Sequence, residues 1–343
     1  MISAPPTAPK GGRMNPDNRP VIAIDAMGGD HGPQVIVPGV IAALTAESPF
    51  RAAFYGDRQA VEDALAECET DGLPISVSHC SEDIAMDESP ASAIRHRKDS
   101  PIVRAMSDQK AGKVIAVVSA GSTGAMVAAS LLILGRLKGV DRPGIATLIP
   151  TLAGRSLLLD AGANLQCTSD HLVTFAEMGN IYAREILGVP VPTVGLLNIG
   201  EESSKGTDVL VETHDRLAAT GLEFIGNIEG NQVLQGGCDV MVTDGFTGNI
   251  TLKLLEGFAL FMARLARSPQ VPDALRASLP PILGYLQENF SYEVYGGAML
   301  LGVDGISIIS HGRSSSWAIT NAVKVAWQQV EKALPSRLVS PGS

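Results

Sequence analysis

A mostly parallel α/β sheet wrapped by helices is the fold class that this 343-residue chain predicts. Two observations carry it. Short apolar runs alternate with longer stretches of helical period, the order that builds βαβ units. Five of those runs are apolar at every position, as strands are when helices cover both faces of their sheet, and each stops abruptly at a polar or small residue.

Residues 21–24 run into Asp25, 114–118 into Ser119, Ala120 and Gly121, 157–159 into Asp160, 194–197 into Asn198, and 240–242 into Thr243 and Asp244. Ligands of open α/β sheets sit at the carboxyl ends of the strands, so five such endings predict one composite crevice. Asp, Asn and Gly also serve ordinary turns and caps, which is the competing reading of any single ending. Leu172, Phe175, Ala176, Tyr182, Ala183 and Ile186 recur at helical spacing, as do Ile319, Val323, Trp327, Val330 and Leu334; both sets are packing faces. Residues 250–290 combine apolar Phe258, Leu260, Phe261 and Leu265 with Arg264, Arg267 and Arg276. They predict a protruding helical hairpin with a cationic, partly apolar tip, against the alternative of a buried core hairpin.

Composition narrows the function classes. With 45% hydrophobic residues, 36 Gly and 4% aromatics the chain is globular. Residues 1–19 read as a disordered extension without a signal peptide's apolar segment, with Met14 as an alternative start; 20–335 read as a single α/β domain and 336–343 as a frayed tail. No run reaches the roughly 18 apolar residues of a membrane span. A net charge of -10 argues against nucleic acid, and an acidic protein partner has to meet a local basic patch. Cys68, Cys80, Cys167 and Cys238 have neither metal-ligand nor paired spacing, so a reduced cytosol without disulfides or bound metal is expected.

Two turns are built for anions. Asp25-Ala26-Met27-Gly28-Gly29-Asp30-His31-Gly32 follows the first strand and opens a helical stretch, where paired glycines let N–H groups approach a ligand. Ser119-Ala120-Gly121-Ser122-Thr123-Gly124 repeats the arrangement with hydroxyls; helix capping alone explains it equally well. Neither fits a dinucleotide fingerprint or a P-loop, so no cofactor is expected. Arg95, Arg97, Lys98, Asp99 and Ser100 form the densest basic cluster, and Arg313, after His311 and Gly312, offers a bidentate phosphate partner. Further polar glycine turns carry Asp160 and Asn164, Asn198, Asn227, and Asp244 and Asn249.

Taken in order, DAMGGDHGP, MDESP with RKDSP, SAGSTGA, LLDAGAN, LLNIGEE with SSKG, GNIEG, DVMVTDGFTGN and YGGAMLLGVDGISIISHGRS resemble the bacterial phosphate acyltransferase family of phospholipid synthesis over roughly residues 20–335. Ser122 stands where that family more often has Asn, and Pro101 where Ser is common. The resemblance implies acyl transfer from acyl carrier protein to inorganic phosphate and a fold similar to phosphotransacetylases and isocitrate/isopropylmalate-type dehydrogenases. It further implies a homodimer, a cytoplasmic protein loosely held at the inner membrane, and a downstream acyl-phosphate acyltransferase.

The chemistry expected of such a site is orientation and oxyanion stabilisation, because phosphate is already anionic and a thioester is already activated. Lys98, Thr123, His31, Arg313, Asn249 and Asp244 are the candidate catalytic residues. Asp25, Gly28, Gly29, Asp30, Asp99, Ser100, Ser119, Gly121, Ser122, Gly124, Asp160, Asn164, Asn198, Asn227 and His311 are candidates for phosphate or substrate binding, and Lys205, Arg264, Arg267 and Arg276 for carrier docking. Either His31 or His311 would protonate the departing thiolate. Covalent catalysis through Cys167 is the rival route.

Overall fold

The computed structural model describes residues 19–85, 88–266, 268, 271–272, 281, 283–284 and 292–338. The expected N-terminal extension up to residue 18, Arg267, Arg276, much of the second arm of the expected hairpin and the last five residues lie outside them.

In chain order the elements are β1 (Val21–Asp25), α1 (Pro33–Ile41), β2 (Arg51–Gly56), α2 (Arg58–Ala66), β3 (Ile75–His79), α3 (Pro90–His96), α4 (Pro101–Lys110), β4 (Ala116–Ser119), α5 (Thr123–Ala129), β5 (Gly144–Thr151), β6 (Gly154–Leu159) and α6 (Ser169–Tyr182). They continue with β7 (Thr193–Asn198), α7 (Asp208–Ala218), β8 (Glu223–Glu229), β9 (Val240–Val242), α8 (Gly245–Leu265), β10 (Ala298–Leu301), β11 (Ser307–Ile309), α9 (Ser316–Glu331) and α10 (Leu334–Arg337).

Alternation explains why the five runs are apolar throughout. β1 sends Ile22 and Ile24 into the core on one face of the sheet and Ala23 into the core on the other; β6 does the same with Leu157 and Leu159 against Leu158, and β9 with Val240 and Val242 against Met241. Helices close both faces. On α9, Ile319 and Val323 are buried and Trp327 stacks on Phe50 at 5.2 Å. The Thr320 hydroxyl donates to the Gly39 carbonyl at 2.7 Å and ties α9 to α1.

All eleven strands among the described residues form one sheet, ordered β3-β2-β1-β4-β11-β10-β5-β6-β9-β7-β8. It is mostly parallel, with antiparallel pairs only where β10 meets β11 and β5 and where β5 meets β6. Those three reversals turn one part of the sheet against the other: β1, β4 and β11 run one way, and β6, β9, β7 and β8 run the opposite way. The five polar strand endings therefore do not share one edge, contrary to expectation. Asp25 and Ser119 end strands of one direction; Asp160, Asn198 and the residues after Val242 end strands of the other.

α8 is not a core helix. Of its 21 residues Gly245 and Gly248 are buried, and Leu252 and Leu255 pack on the sheet. Phe246, Ile250, Leu254, Phe258 and Phe261, spaced by three or four, share a face that stays exposed. The first arm of the expected hairpin thus has the apolar outward face that the protruding reading requires.

Candidate active site

The turns leaving β1, β4 and β11 converge. Ser310 N–H donates to the Ser119 carbonyl at 2.8 Å, and Asp30 N–H to the Gly312 carbonyl at 2.8 Å. Beneath them the Ser119 hydroxyl donates to Asp25 Oδ2 at 2.6 Å and accepts from Gly121 N–H at 3.0 Å, while Asp25 Oδ1 accepts from Met27 N–H at 3.1 Å. Gly28 lies where these pieces touch. A methyl there would sit 2.7 Å from Gly121 N and 2.9 Å from Asp25 Oδ2, and neighbouring Gly29 has φ +84°, so the paired glycines are a steric requirement. Ser122 caps α5 by accepting from Ala125 N–H at 3.4 Å. Among the described residues the N–H groups of Gly29, Ser122, Thr123 and Gly124 meet no acceptor in the protein. Donors left open in this way suit an oxyanion.

Arg313 is exposed beside these donors and makes no ion pair among the described residues. His31 and Asp30 are exposed on the first turn. His311 Nδ1 accepts from Arg313 N–H at 3.1 Å. Burial, then the nearby Lys253 charge, holds its pKa below the usual histidine value. His311 is therefore neutral at pH 7 with one ring nitrogen already committed, a poor proton donor. Lys253 and Glu256, paired at 2.7 Å, are on α8. With Asn249 they occupy positions i, i+4 and i+7, one face of the helix.

α8 is what links this cleft to the second group of turns. Asp160, fully buried, accepts from the N–H groups of Ile145, Gly162, Ala163 and Asn164 and from the Asn164 amide, all within 3.0 Å. It is a saturated structural hub, although burial raises its pKa. Asp244 caps α8, accepting from Thr247 N–H at 2.9 Å and from its hydroxyl at 2.8 Å. Exposed Asn249 sits one turn further on, where a side chain at Gly162 would meet it at 3.5 Å.

Other candidates are engaged by groups of the protein itself. Lys98 donates to the Ile94 carbonyl at 3.1 Å, at the end of α3. Asp99 is taken up by Arg104 and by Ser81, whose hydroxyl donates to it at 2.6 Å, and these bonds lower its pKa to about 2. The buried Ser100 hydroxyl donates to the Arg97 carbonyl at 2.8 Å. The RKDSP segment is thus tied to Ile94, Ser81, Glu82, Glu88 and Arg104, while Ser100 and Pro101 line the same small cavity as Asp25 and Gly28. Asn198 and Asn227 donate to the Lys205 and Glu202 carbonyls at 3.0 and 2.8 Å and so shape the exposed loop that displays Lys205. Arg264 is exposed near the end of α8. Cys167 has its thiol pushed up to about 11 by burial and by Asp160. Sequence reasoning passed over Lys253 and Glu256, for which the i, i+4, i+7 spacing from Asn249 was an available signal, and Asp83, for which there was none.

Among the described residues no group of three or more His, Cys, Asp or Glu side chains is placed to hold a metal ion, and no helix is long and apolar enough to cross a membrane.

The sheet and its turns define an α/β enzyme of the phosphotransacetylase fold. The chain superposes on a phosphotransacetylase from Streptococcus pyogenes with a TM-score of 0.60 at 16% identity, covering 91% of this chain and 94% of the other. It superposes on a phosphotransacetylase from Staphylococcus aureus at 0.58 and 16%, with the same coverage. Sequence narrows the class: the model of the family described as "Fatty acid synthesis protein" matches residues 21–337. The chain is 46% identical over 318 residues to the phosphate acyltransferase of Desulforamulus reducens (91% of this chain, 94% of the other) and 47% identical over 322 residues to that of Moorella thermoacetica (92% and 94%). The chain belongs to the phosphate acyltransferase family and is an acyltransferase.

Proposed function

We propose that the protein transfers a long-chain fatty acyl group from acyl carrier protein to inorganic phosphate. The product is an acyl phosphate that a downstream acyltransferase uses to acylate glycerol 3-phosphate. The observation that carries the reading is the convergence of three glycine turns at the carboxyl ends of β1, β4 and β11, with N–H donors and an Arg313 side chain that meet no partner among the described residues.

A phosphate oxygen attacks the thioester carbonyl carbon; the new C–O bond forms and the C–S electron pair leaves on sulfur. The Gly29, Thr123 and Gly124 N–H groups offer donors to the phosphate and to the oxyanion that develops on the former carbonyl oxygen. Arg313 holds the phosphate in line. The leaving thiolate, with a pKa near ~8.5, needs little acid assistance; exposed His31 or solvent supplies its proton, since His311 is neutral. Asn249 and Lys253 face the same cleft from α8.

Arg264 and Lys205, exposed cations on an acidic protein, are the proposed contacts for an acidic carrier, joined by Arg267 and Arg276. The open apolar face of α8 supports peripheral contact with the inner membrane from the cytoplasm, and a homodimer is part of the same reading. The test is product analysis: incubation with labelled phosphate and a long-chain acyl-carrier-protein thioester yields a labelled acyl phosphate, and the coenzyme A thioester of the same chain reacts more slowly. Equal or faster reaction with coenzyme A assigns the donor otherwise, and no labelled product overturns the reading.

A further inference from the structure

The joined turns, on the reading that they hold phosphate, enclose a cavity of about 120 Å³ lined by Asp25, Gly28, Gly29, Asp83, Ser100 and Gly121. Its size suits a small oxyanion and falls well short of the roughly 300 Å³ at which sites for larger ligands begin. Among the described residues two carboxyl groups and no cationic side chain line it. Asp25, 3% exposed, forms no ion pair among the described residues. A buried, unpaired carboxylate facing an incoming anion is repulsive twice over, through its own desolvation and through like charge.

We infer that Asp25 is a proton-linked positioning residue: the pocket takes its oxyanion with Asp25 neutral, so that anion binding draws a proton onto this carboxyl. The hydrogen bonds allow it. Either partner of the 2.6 Å Asp25–Ser119 contact can supply the proton between them, so protonation removes the charge while leaving the two turns tied together. Burial already pushes the Asp25 carboxyl up to about 6, Asp83 adds to the rise, and the Ser119 and Met27 hydrogen bonds pull against it. The remaining groups around it do not substitute for this role. Cys80, beside the cavity, is a neutral thiol pushed up to about 11 by burial. Asp30, His31, His311 and Arg313 belong to the same joined turns without lining the cavity, His31 being exposed, and burial holds the His311 pKa below the usual histidine value.

Sulfate is the probe, because unlike phosphate it has no proton to lose between pH 6 and 8. Its binding to the full-length protein is measured by calorimetry at constant ionic strength. The neutral fraction of Asp25 falls from about one half at pH 6 to about one hundredth at pH 8, and apparent affinity follows the competent fraction, so binding is about 50-fold tighter at pH 6. Asp25→Asn flattens that dependence to within about threefold. Ser119→Ala, which removes a bond holding the Asp25 pKa down, moves the rise to higher pH, and His31→Gln and His311→Gln each preserve it. The inference is overturned if Asp25→Asn keeps the wild-type slope, or if wild-type protein binds sulfate equally at both pH values or not at all. Acyl-phosphate formation on the same preparations separates the two claims. Product without the proton link removes only this inference; the link without product removes only the proposed reaction.

Discussion

Asp25 and Ser119 meet across the carboxyl ends of neighbouring parallel strands, hydroxyl to carboxylate at 2.6 Å, both almost sealed from solvent. The pair welds two glycine turns together and leaves a carboxyl inside the protein, which gives stability a particular pH dependence. The Asp25 pKa rises from 3.8 to about 6 on folding. A raised carboxyl pKa contributes stability that is complete below about 3.8 and lost as pH climbs through about 6. At pH 8 the loss is on the order of 3 kcal/mol. Asp25→Asn is therefore expected to raise the melting temperature by several degrees at pH 8, with the gain shrinking toward pH 4. Melts that differ equally at every pH would contradict this.

Arg313 offers an exposed guanidinium that makes no ion pair among the described residues. Its replacement by alanine removes a charge-assisted contact worth roughly 1.5–3 kcal/mol. The KM for phosphate is expected to rise about tenfold or more, with little change in the KM for the thioester. Lys98→Ala is expected to do less in the same assay, because one of its three N–H donors holds it to the Ile94 carbonyl.

Gly248 is the contact that lets α8 start against β6: a methyl there would lie 1.9 Å from the Asp160 carbonyl oxygen. Gly248→Ala is expected to destabilise by about 3 kcal/mol in denaturant titrations and to lower activity by shifting Asn249 and Lys253. Gly257, on the same helix with nothing near a prospective side chain, is the control. Gly257→Ala is expected to stabilise by up to about 1 kcal/mol.

Cys167 carries a thiol that stays protonated at neutral pH. Cys167→Ser is expected to retain kcat within about threefold, and mass spectrometry of enzyme quenched during turnover to show no acyl-cysteine. An adduct at this position would replace direct attack by phosphate with a covalent route.

Charge reversal of Arg264 is expected to raise the KM for acyl carrier protein and flatten its dependence on salt, while phosphate kinetics stay as they are. Unchanged carrier kinetics at every ionic strength would remove Arg264 from the docking surface.

How much of this was legible beforehand differs from residue to residue. The five apolar runs announced strands covered on both faces, and each became one, because a side chain at every second position reaches the opposite core. Asp25, Gly28, Gly29, Ser119 and Gly121 could be singled out because strand-to-helix turns with glycines have a local chemistry, and the structure brings them into contact. Asp160 and Asp244 carry the same local signature and play other parts, one as a saturated hub and the other as a helix cap. The RKDSP cluster had the highest density of charge and is tied to the Ile94 carbonyl, Ser81, Glu88 and Arg104. Nothing within such a segment distinguishes a cation held for a ligand from one held for the protein.

By itself the amino-acid order determined the α/β class, the strands, the packing faces of the long helices and, through its motifs, the family. Those properties arise from local periodicity and from residues that recur in a set order. Only the tertiary structure decided which turns meet. Asp25 finds Ser119 from 94 residues away, and Gln109 reaches the Ile306 carbonyl across 197. The reversals at β5, β6 and β10 send Asp160 and Asn198 to strand ends pointing the other way, and α8 carries Asn249 past Gly162 and Lys253 toward His311. Strand direction and register are settled by pairing between distant segments, which leaves no periodic trace in either segment alone.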